Sequence, residues 1–261
     1  MSPNEELYNE DYYHDYAGDT MRWRASYRQR QGLYTRLIDK LRRAHPAIKK
    51  VAEIGCGAGQ FTYSITRIFG NDIYIRAGDI SEHAICIAKR QLSDSKRTEF
   101  MVLDAQNIPL PSQSFDLVVS LDVVEHLEKP EAFFSEARRL LSPNGLLLFS
   151  TPNPQSFGAR KKINAFSAKN DFSVWFAYRD PTHINIRYIE CWREVCRKNG
   201  FERVTDGTDF LWDIPYFKNI PLILQKLFFV GSKVVLSAIF GFLPWRWGEN
   251  YYGIWRKTAE P

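Results

Sequence analysis

The stretch Val51-Ala52-Glu53-Ile54-Gly55-Cys56-Gly57-Ala58-Gly59-Gln60-Phe61-Thr62 decides the fold. It closes a short apolar run over 48–54 that glycine interrupts, and apolar residues return at helical spacing over 61–69. The segment reads as strand, glycine turn, helix. Working outward, the same alternation recurs. Residues 73–77 form a second strand, and Ser81 caps a helix carrying Ala84, Ile85, Ala88 and Leu92 on one face. A third strand covers 100–103, and the unbroken apolar run of a fourth, 115–121, suits a strand covered on both faces. A helix over 131–141, closed by Ser142-Pro143-Asn144-Gly145, precedes a fifth strand at 146–150. Parallel neighbours need crossover helices, so this rhythm predicts an α/β, doubly wound, mostly parallel sheet.

The flanks divide the chain into two parts. Residues 1–46 read as an aromatic arm followed by a helix over 21–44 that His45-Pro46 ends, and 47–261 as the α/β domain. After Thr151 the rhythm breaks. Residues 152–181 form a long loop or lid, 189–199 a helix and 201–210 a strand. A second lid segment, 214–247, precedes a last strand at 251–256.

At 261 residues the chain suits one large domain with an ample core. Its 44% hydrophobic and 25% charged residues exclude a disordered or repeat-built protein. A formal charge of +5, with basic residues gathered between Arg22 and Arg43, is too mild for a nucleic-acid footprint. The four cysteines form no CxxC pair, and the acidic, aromatic start is no secretory signal, which implies a reducing cytoplasm. Lys218, Lys226 and Lys233 interrupt the apolar stretch 214–247, so it does not span a bilayer. It reads as a lid helix packed on its own domain or one resting on a membrane surface, with Leu224, Leu227, Phe228 and Val235 opposite the lysines.

Ligands in open α/β sheets settle outside the carboxyl ends of the strands, where strand order reverses. The first strand ends in Gly55, Cys56, Gly57 and Gly59, which allow a tight turn and close backbone approach. The second ends at Asp79 and Ile80, twenty residues past Gly59, where the carboxylate is placed for the hydroxyls of a ribose. The third ends at Asp104, Ala105 and Gln106, which suit an adenine amino group. A dinucleotide fingerprint would carry a third glycine where Gln60 stands, which counts against a nicotinamide cofactor.

VAEIGCGAGQFT at 51–62, Asp79, LDAQNIPLPSQSFDLVV at 103–119 and RRLLSPNGLLLFSTPN at 138–153 together resemble the successive motifs of class I S-adenosylmethionine-dependent methyltransferases. The resemblance covers about 49–210 and implies a Rossmann-like sheet of seven strands with the last antiparallel. It also implies S-adenosyl-L-methionine as cofactor, with Glu53 orienting the loop around its amino group. Within the family, SLDVVEHLEKPEAFFSEARRLLSPNG at 120–145 looks closest to the ubiquinone-pathway O-methyltransferases and the small-RNA 2′-O-methyltransferases. That likeness makes Asp122, Glu125, His126 and His183 candidate ligands for a divalent metal, which is possible but not favoured, because Asp122 stands where those enzymes use Glu. Arg36, on the amino-terminal helix, resembles an arginine that meets the cofactor's carboxylate, and Leu121 closes the cofactor set.

A sulfonium methyl is already activated, so the protein must align acceptor, methyl and sulfur and exclude water. A hydroxyl acceptor must also lose its proton, and His126 and His183 are the candidate bases. Tyr8, Tyr12, Tyr13, Tyr16 and Trp23 are placed to close over the site, and Trp175 and Phe176, within 172–178, to line its acceptor side. The reading is a methyltransferase acting most readily on a hydroxyl of a small-molecule, glycan or isoprenoid-like acceptor. An RNA 2′-O-methyltransferase with metal, and a non-catalytic adenosylmethionine-binding protein, are the alternatives. Location is cytoplasmic, with peripheral membrane contact through 214–247 as an option. The acceptor, the methylated atom, the oligomeric state and the pathway are not legible.

Overall fold

Five strands run parallel: β1 (Lys50–Ile54), β2 (Tyr74–Asp79), β3 (Thr98–Val102), β4 (Phe115–Leu121) and β5 (Leu141–Pro152). They belong to a computed structural model that describes residues 21–93, 95–163, 165, 173–209, 219–225, 227–228 and 246–259. After β6 (Phe201–Thr208) the chain returns as β7 (Asn250–Lys257), which inserts antiparallel between β5 and β6 and gives the order β3-β2-β1-β4-β5-β7-β6. This is the α/β, doubly wound, seven-stranded sheet expected from the alternation and the family resemblance. The chain moves outward from β1 through β2 to β3, then restarts on the other side with β4. The reversal therefore lies between the carboxyl ends of β1 and β4.

Alternation along each strand builds one core on each face of the sheet. Ala52, Ile54, Val118, Leu147 and Phe149 face a cluster with Phe133, Phe134 and Leu140 of the Pro130–Leu140 helix and Trp192 of the Ile189–Lys198 helix. Val51, Leu117, Val119, Leu146 and Leu148 face the other way. There they meet Tyr34, Leu37, Ile38 and Leu41 of the Met21–Ala44 helix and Phe61 and Ile65 of the Gln60–Phe69 helix. Neighbouring residues on one strand serve opposite cores, which is why 117–119 is apolar without a break. The amino-terminal helix is thus a layer of the α/β body, because the 33, 34, 37, 38, 41 spacing buries a single stripe.

Two local expectations are corrected. Ser142-Pro143-Asn144-Gly145 does not close a helix: Leu141 leaves the helix end and pairs at once with Phe115, so β5 starts five residues early. The tetrapeptide is an irregularity inside β5, with Asn144 at φ 62° and pairing resumed at Leu146 opposite Leu117. Residues 152–181 are also not one long loop. Ser156 accepts from the Ala159 N–H at 3.0 Å and caps a short helix, Phe157–Lys161, and a 3-10 turn follows at Phe176–Arg179.

The arm tyrosines, the Trp23 side chain, Lys218, Lys226, Lys233 and Val235 lie outside the described residues. Of 214–247 the structure shows a short helix, Leu222–Gln225, with Leu224, Leu227 and Phe228 exposed. Among the described residues, no helix is long and apolar enough to cross a membrane.

Phe134 is fully buried and makes edge contacts with Phe133 and Phe149 at ring separations of 5.2 and 5.1 Å. Phe134→Ala should cost about 3–5 kcal/mol in urea denaturation. A loss below about 1 kcal/mol would show that this helix does not seat on the sheet as described.

Candidate active site

The turn after β1 is built from three glycines in the left-handed region, each for a different reason. At Gly55 (φ 78°) a Cβ would sit 2.2 Å from Val123 Cγ2, so glycine lets the β1 end meet the β4 end. At Gly59 (φ 83°) a Cβ would sit 2.9 Å from the Ala88 Cβ, so the residue seats the Gln60–Phe69 helix against the Glu82–Gln91 helix. Gly57 (φ 52°) faces open space, and its N–H donates to Asp79 Oδ2 at 2.8 Å. Asp79 Oδ1 accepts from the Ser81 N–H at 3.0 Å. One buried carboxylate thereby fixes the glycine turn and the β2 end together.

Behind the turn, Glu53 is buried and its Oε2 has no hydrogen-bond partner among the described residues. Burial pushes its carboxyl up to about 8, and the charge of Asp79 adds to the shift. A buried carboxyl oxygen without a donor, an open turn at Gly57 and an acid at the β2 end suit a ligand that carries a cation and a ribose. That donor set fits S-adenosylmethionine. Cys56 contributes backbone to this cradle, donating from its N–H to the Gly78 carbonyl at 3.0 Å, while its side chain belongs to the core.

At the β3 end Asp104 Oδ1 accepts from the Gln106 N–H at 2.8 Å, and Gln106 Oε1 accepts from the Lys129 N–H at 2.8 Å. Both side chains shape the turn leading toward the next helix. Ala105 is buried in the core, and Ile80 and Leu121 are half-buried at their strand ends. Arg36 is exposed, in a shallow groove with Thr35, Asp39, Lys40, Arg43 and Ile68. The residue of that helix that reaches the strand ends is Tyr34, whose hydroxyl donates to Ser150 Oγ at 2.9 Å.

His126 ends a 3-10 turn, Val124–His126, immediately after the valine that packs on Gly55. Its ring meets that of His183 edge-on at 4.5 Å between centroids. The Thr182 hydroxyl donates to Asp180 Oδ1 at 2.6 Å, so it accepts from His126 Nδ1 at 2.8 Å. His183 Nδ1 donates to the Ala177 carbonyl at 2.8 Å. The hydrogen-bond network therefore assigns the Nε2 lone pair to both neutral rings. Burial, then the neighbouring His183, lowers the His126 pKa to about 3. Asp180 Oδ2 stands 3.8 Å from His183 Nε2.

One ligand atom from each of Glu125, His126 and His183 lies within 4.8 Å of the others, so these three would hold a metal, were one bound. Asp122, the fourth expected ligand, turns elsewhere. At φ 56° its carboxylate accepts from Ser150 Oγ at 2.8 Å, on the side of Tyr34. Trp175 is a second correction: it is fully buried, and its indole N–H donates to the buried Glu249 carboxylate, which also accepts from Ser156 at 3.0 Å. Sequence reasoning missed Asp180, Thr182 and Glu249, because each acts through segments brought together only by the fold.

Residues 52–149 match the family described as Methyltransferase domain. The chain is similar to malonyl-(acyl-carrier protein) O-methyltransferase 1 of Ilyobacter polytropus, at 28% identity over 72% of this chain and 65% of that one. It is also similar to a ubiquinone biosynthesis O-methyltransferase of Cereibacter sphaeroides, at 32% identity over 41% of this chain and 44% of that one. It thus spans between 44 and 65% of these relatives' lengths. The solved structure of the PH0226 protein from Pyrococcus horikoshii OT3 shares the fold, with a TM-score of 0.61 and 17% identity over 96% of this chain and all of that one. With the sheet order and the glycine turn, these matches support a class I S-adenosylmethionine-dependent methyltransferase, with S-adenosylmethionine as its cofactor.

Proposed function

We propose that the protein transfers the methyl group of S-adenosylmethionine to a hydroxyl oxygen of a small-molecule, glycan or isoprenoid-like acceptor, with the His126–His183 pair receiving the proton. The observation that carries the reading is the pair itself: a half-buried and a buried imidazole with Nε2 lone pairs, the first of them three residues from the valine packed on Gly55. Both relatives named above are O-methyltransferases, which supports oxygen as the acceptor atom.

When bound, the cofactor supplies an electrophilic methyl on a sulfonium. The chain's own contribution is to hold the reactants in line and keep water out, which accounts for most of what such a reaction requires. Two imidazoles this close share one proton at most, because charge on either opposes charge on the other. His183 is the better resting place for it, since Asp180 Oδ2 faces its Nε2. The Asp180–Thr182–His126 chain holds the His126 tautomer with its lone pair on Nε2.

His126→Ala and His183→Ala should each lower turnover by about 10²–10⁴-fold while leaving adenosylmethionine affinity, read by calorimetry, within about threefold of the parent. Unchanged turnover in both variants would remove the pair as bases. Thr182→Val deletes the acceptor that fixes the His126 tautomer. Its turnover should fall at least about tenfold, with recovery in Thr182→Ser, and equal rates in valine and serine variants would sink the tautomer role.

The raised pKa of Glu53 adds a test of cofactor binding. A carboxyl neutral below about 8 in the free protein must lose its proton to favour a bound cation. Binding should therefore release a proton, and affinity should rise with pH toward that value by up to about tenfold per unit. Glu53→Gln should flatten this dependence. Calorimetry showing equal affinity near pH 6 and pH 8 for the parent protein would count against the assignment.

A further inference from the structure

Five large apolar side chains of the segment that precedes β7 are turned to solvent: Ile220 at 42%, Ile223 at 63%, Leu224 at 51%, Leu227 at 67% and Phe228 at 80% exposure. Scattered exposed leucines are ordinary on protein surfaces, but five within nine residues form a patch that calls for an occupant. Charge identifies its chemistry. From Ile214 to Gly248 the sequence holds Lys218, Lys226, Lys233 and Arg246 and no acidic residue. A protein partner buried against this stretch would need acids of its own. A leaflet of anionic lipid offers acyl chains for the apolar side chains and a continuous negative surface for the cations.

At the carboxyl end of the segment, Trp247 lies between two exposed arginines. Arg160 stands over its ring at 4.4 Å and Arg246 at 5.2 Å. An indole flanked by guanidinium groups is the side-chain combination favoured at a lipid headgroup layer. We infer that the 220–228 face is a peripheral docking surface for an anionic membrane, inserting its apolar side chains without spanning the bilayer. The inference does not depend on the acceptor atom or on the histidine pair.

The test is flotation of the full-length protein with vesicles of phosphatidylcholine alone and of phosphatidylcholine mixed with phosphatidylglycerol. The parent should float with the anionic vesicles, leave them in high salt and bind the neutral ones poorly. The Leu224→Ser, Leu227→Ser, Phe228→Ser triple variant should float about tenfold less while binding adenosylmethionine as the parent does, which shows that it folds. Two outcomes would overturn the inference: parent and variant partitioning equally, or a parent that ignores both vesicles and sediments as a dimer while the variant is a monomer. The latter would make the face a contact between copies of the chain.

Discussion

The β1 and β4 ends meet across a gap that no side chain at residue 55 would allow. Glycine there lets Val123 pack directly on the backbone, where a Cβ would lie 2.2 Å from its methyl group. This contact sets the width of the crevice at the point where strand order reverses, and two other arrangements follow from it. The glycine turn comes within reach of Asp79, which binds it through the Gly57 N–H. The 3-10 turn carrying His126 starts one residue after Val123, so the histidine's position is indexed to the same contact. A larger residue at 55 would push apart the cofactor cradle and the histidine pair together.

The buried charges on the two sides of that contact are managed in opposite ways. Asp79 accepts backbone N–H donors on both oxygens, so its carboxylate is held at 8% exposure by the turn and the β2 end. Glu53 has an oxygen without a donor and is held protonated up to about 8. Two acids beside one turn are thus distinguished by hydrogen bonding, one satisfied on both oxygens by backbone N–H groups and the other poised to change when a cation arrives. On the far side, burial keeps His126 neutral, and Asp180 provides the counter-charge next to His183. The segment bearing Asp180, Thr182 and His183 is tied to the body by the Asn185 N–H to the Glu125 carbonyl at 2.8 Å and by Arg187 to Glu131 at 2.6 Å. It serves as a wall of the site, anchored to the loop that carries its partner histidine.

Legibility in the sequence followed periodicity. The glycine turn, the acids at 79 and 104 and the strand at 115–121 were all readable, because each sits at a place the strand–helix rhythm fixes. The early start of β5 was not, because Leu141 is equally apolar as a last helical residue and as a strand residue. Only its pairing with Phe115 separates the two. Arg36 and Tyr34 illustrate a second limit. They are two residues apart on one helix, a shift of about 200° around its axis, so spacing along the chain alone does not say which of them turns inward. Trp175 was read as a wall of the acceptor site because aromatics crowd that stretch, and its burial against Glu249 depends on a contact 74 residues away in sequence.

That division has a chemical reason. Cofactor recognition uses backbone N–H groups and short acids at strand ends, which leave signatures in spacing because the sheet repeats. Acceptor recognition needs only a surface that presents one nucleophile in line with a methyl group and sheds water, and such a surface is assembled from loops of any sequence with the right shape. Methyl transfer from a sulfonium places few demands on acid–base machinery beyond one proton acceptor, so little chemistry-bearing sequence marks the acceptor. The residues that would specify it in this chain must therefore be sought where periodicity stops, in 152–187 and in the segment before β7. In the first of these a part-buried hydrogen-bond chain from Asp180 to His126 already departs from what packing alone would select, since drawing an acid, a hydroxyl and two imidazoles partly out of water costs more than an apolar filling.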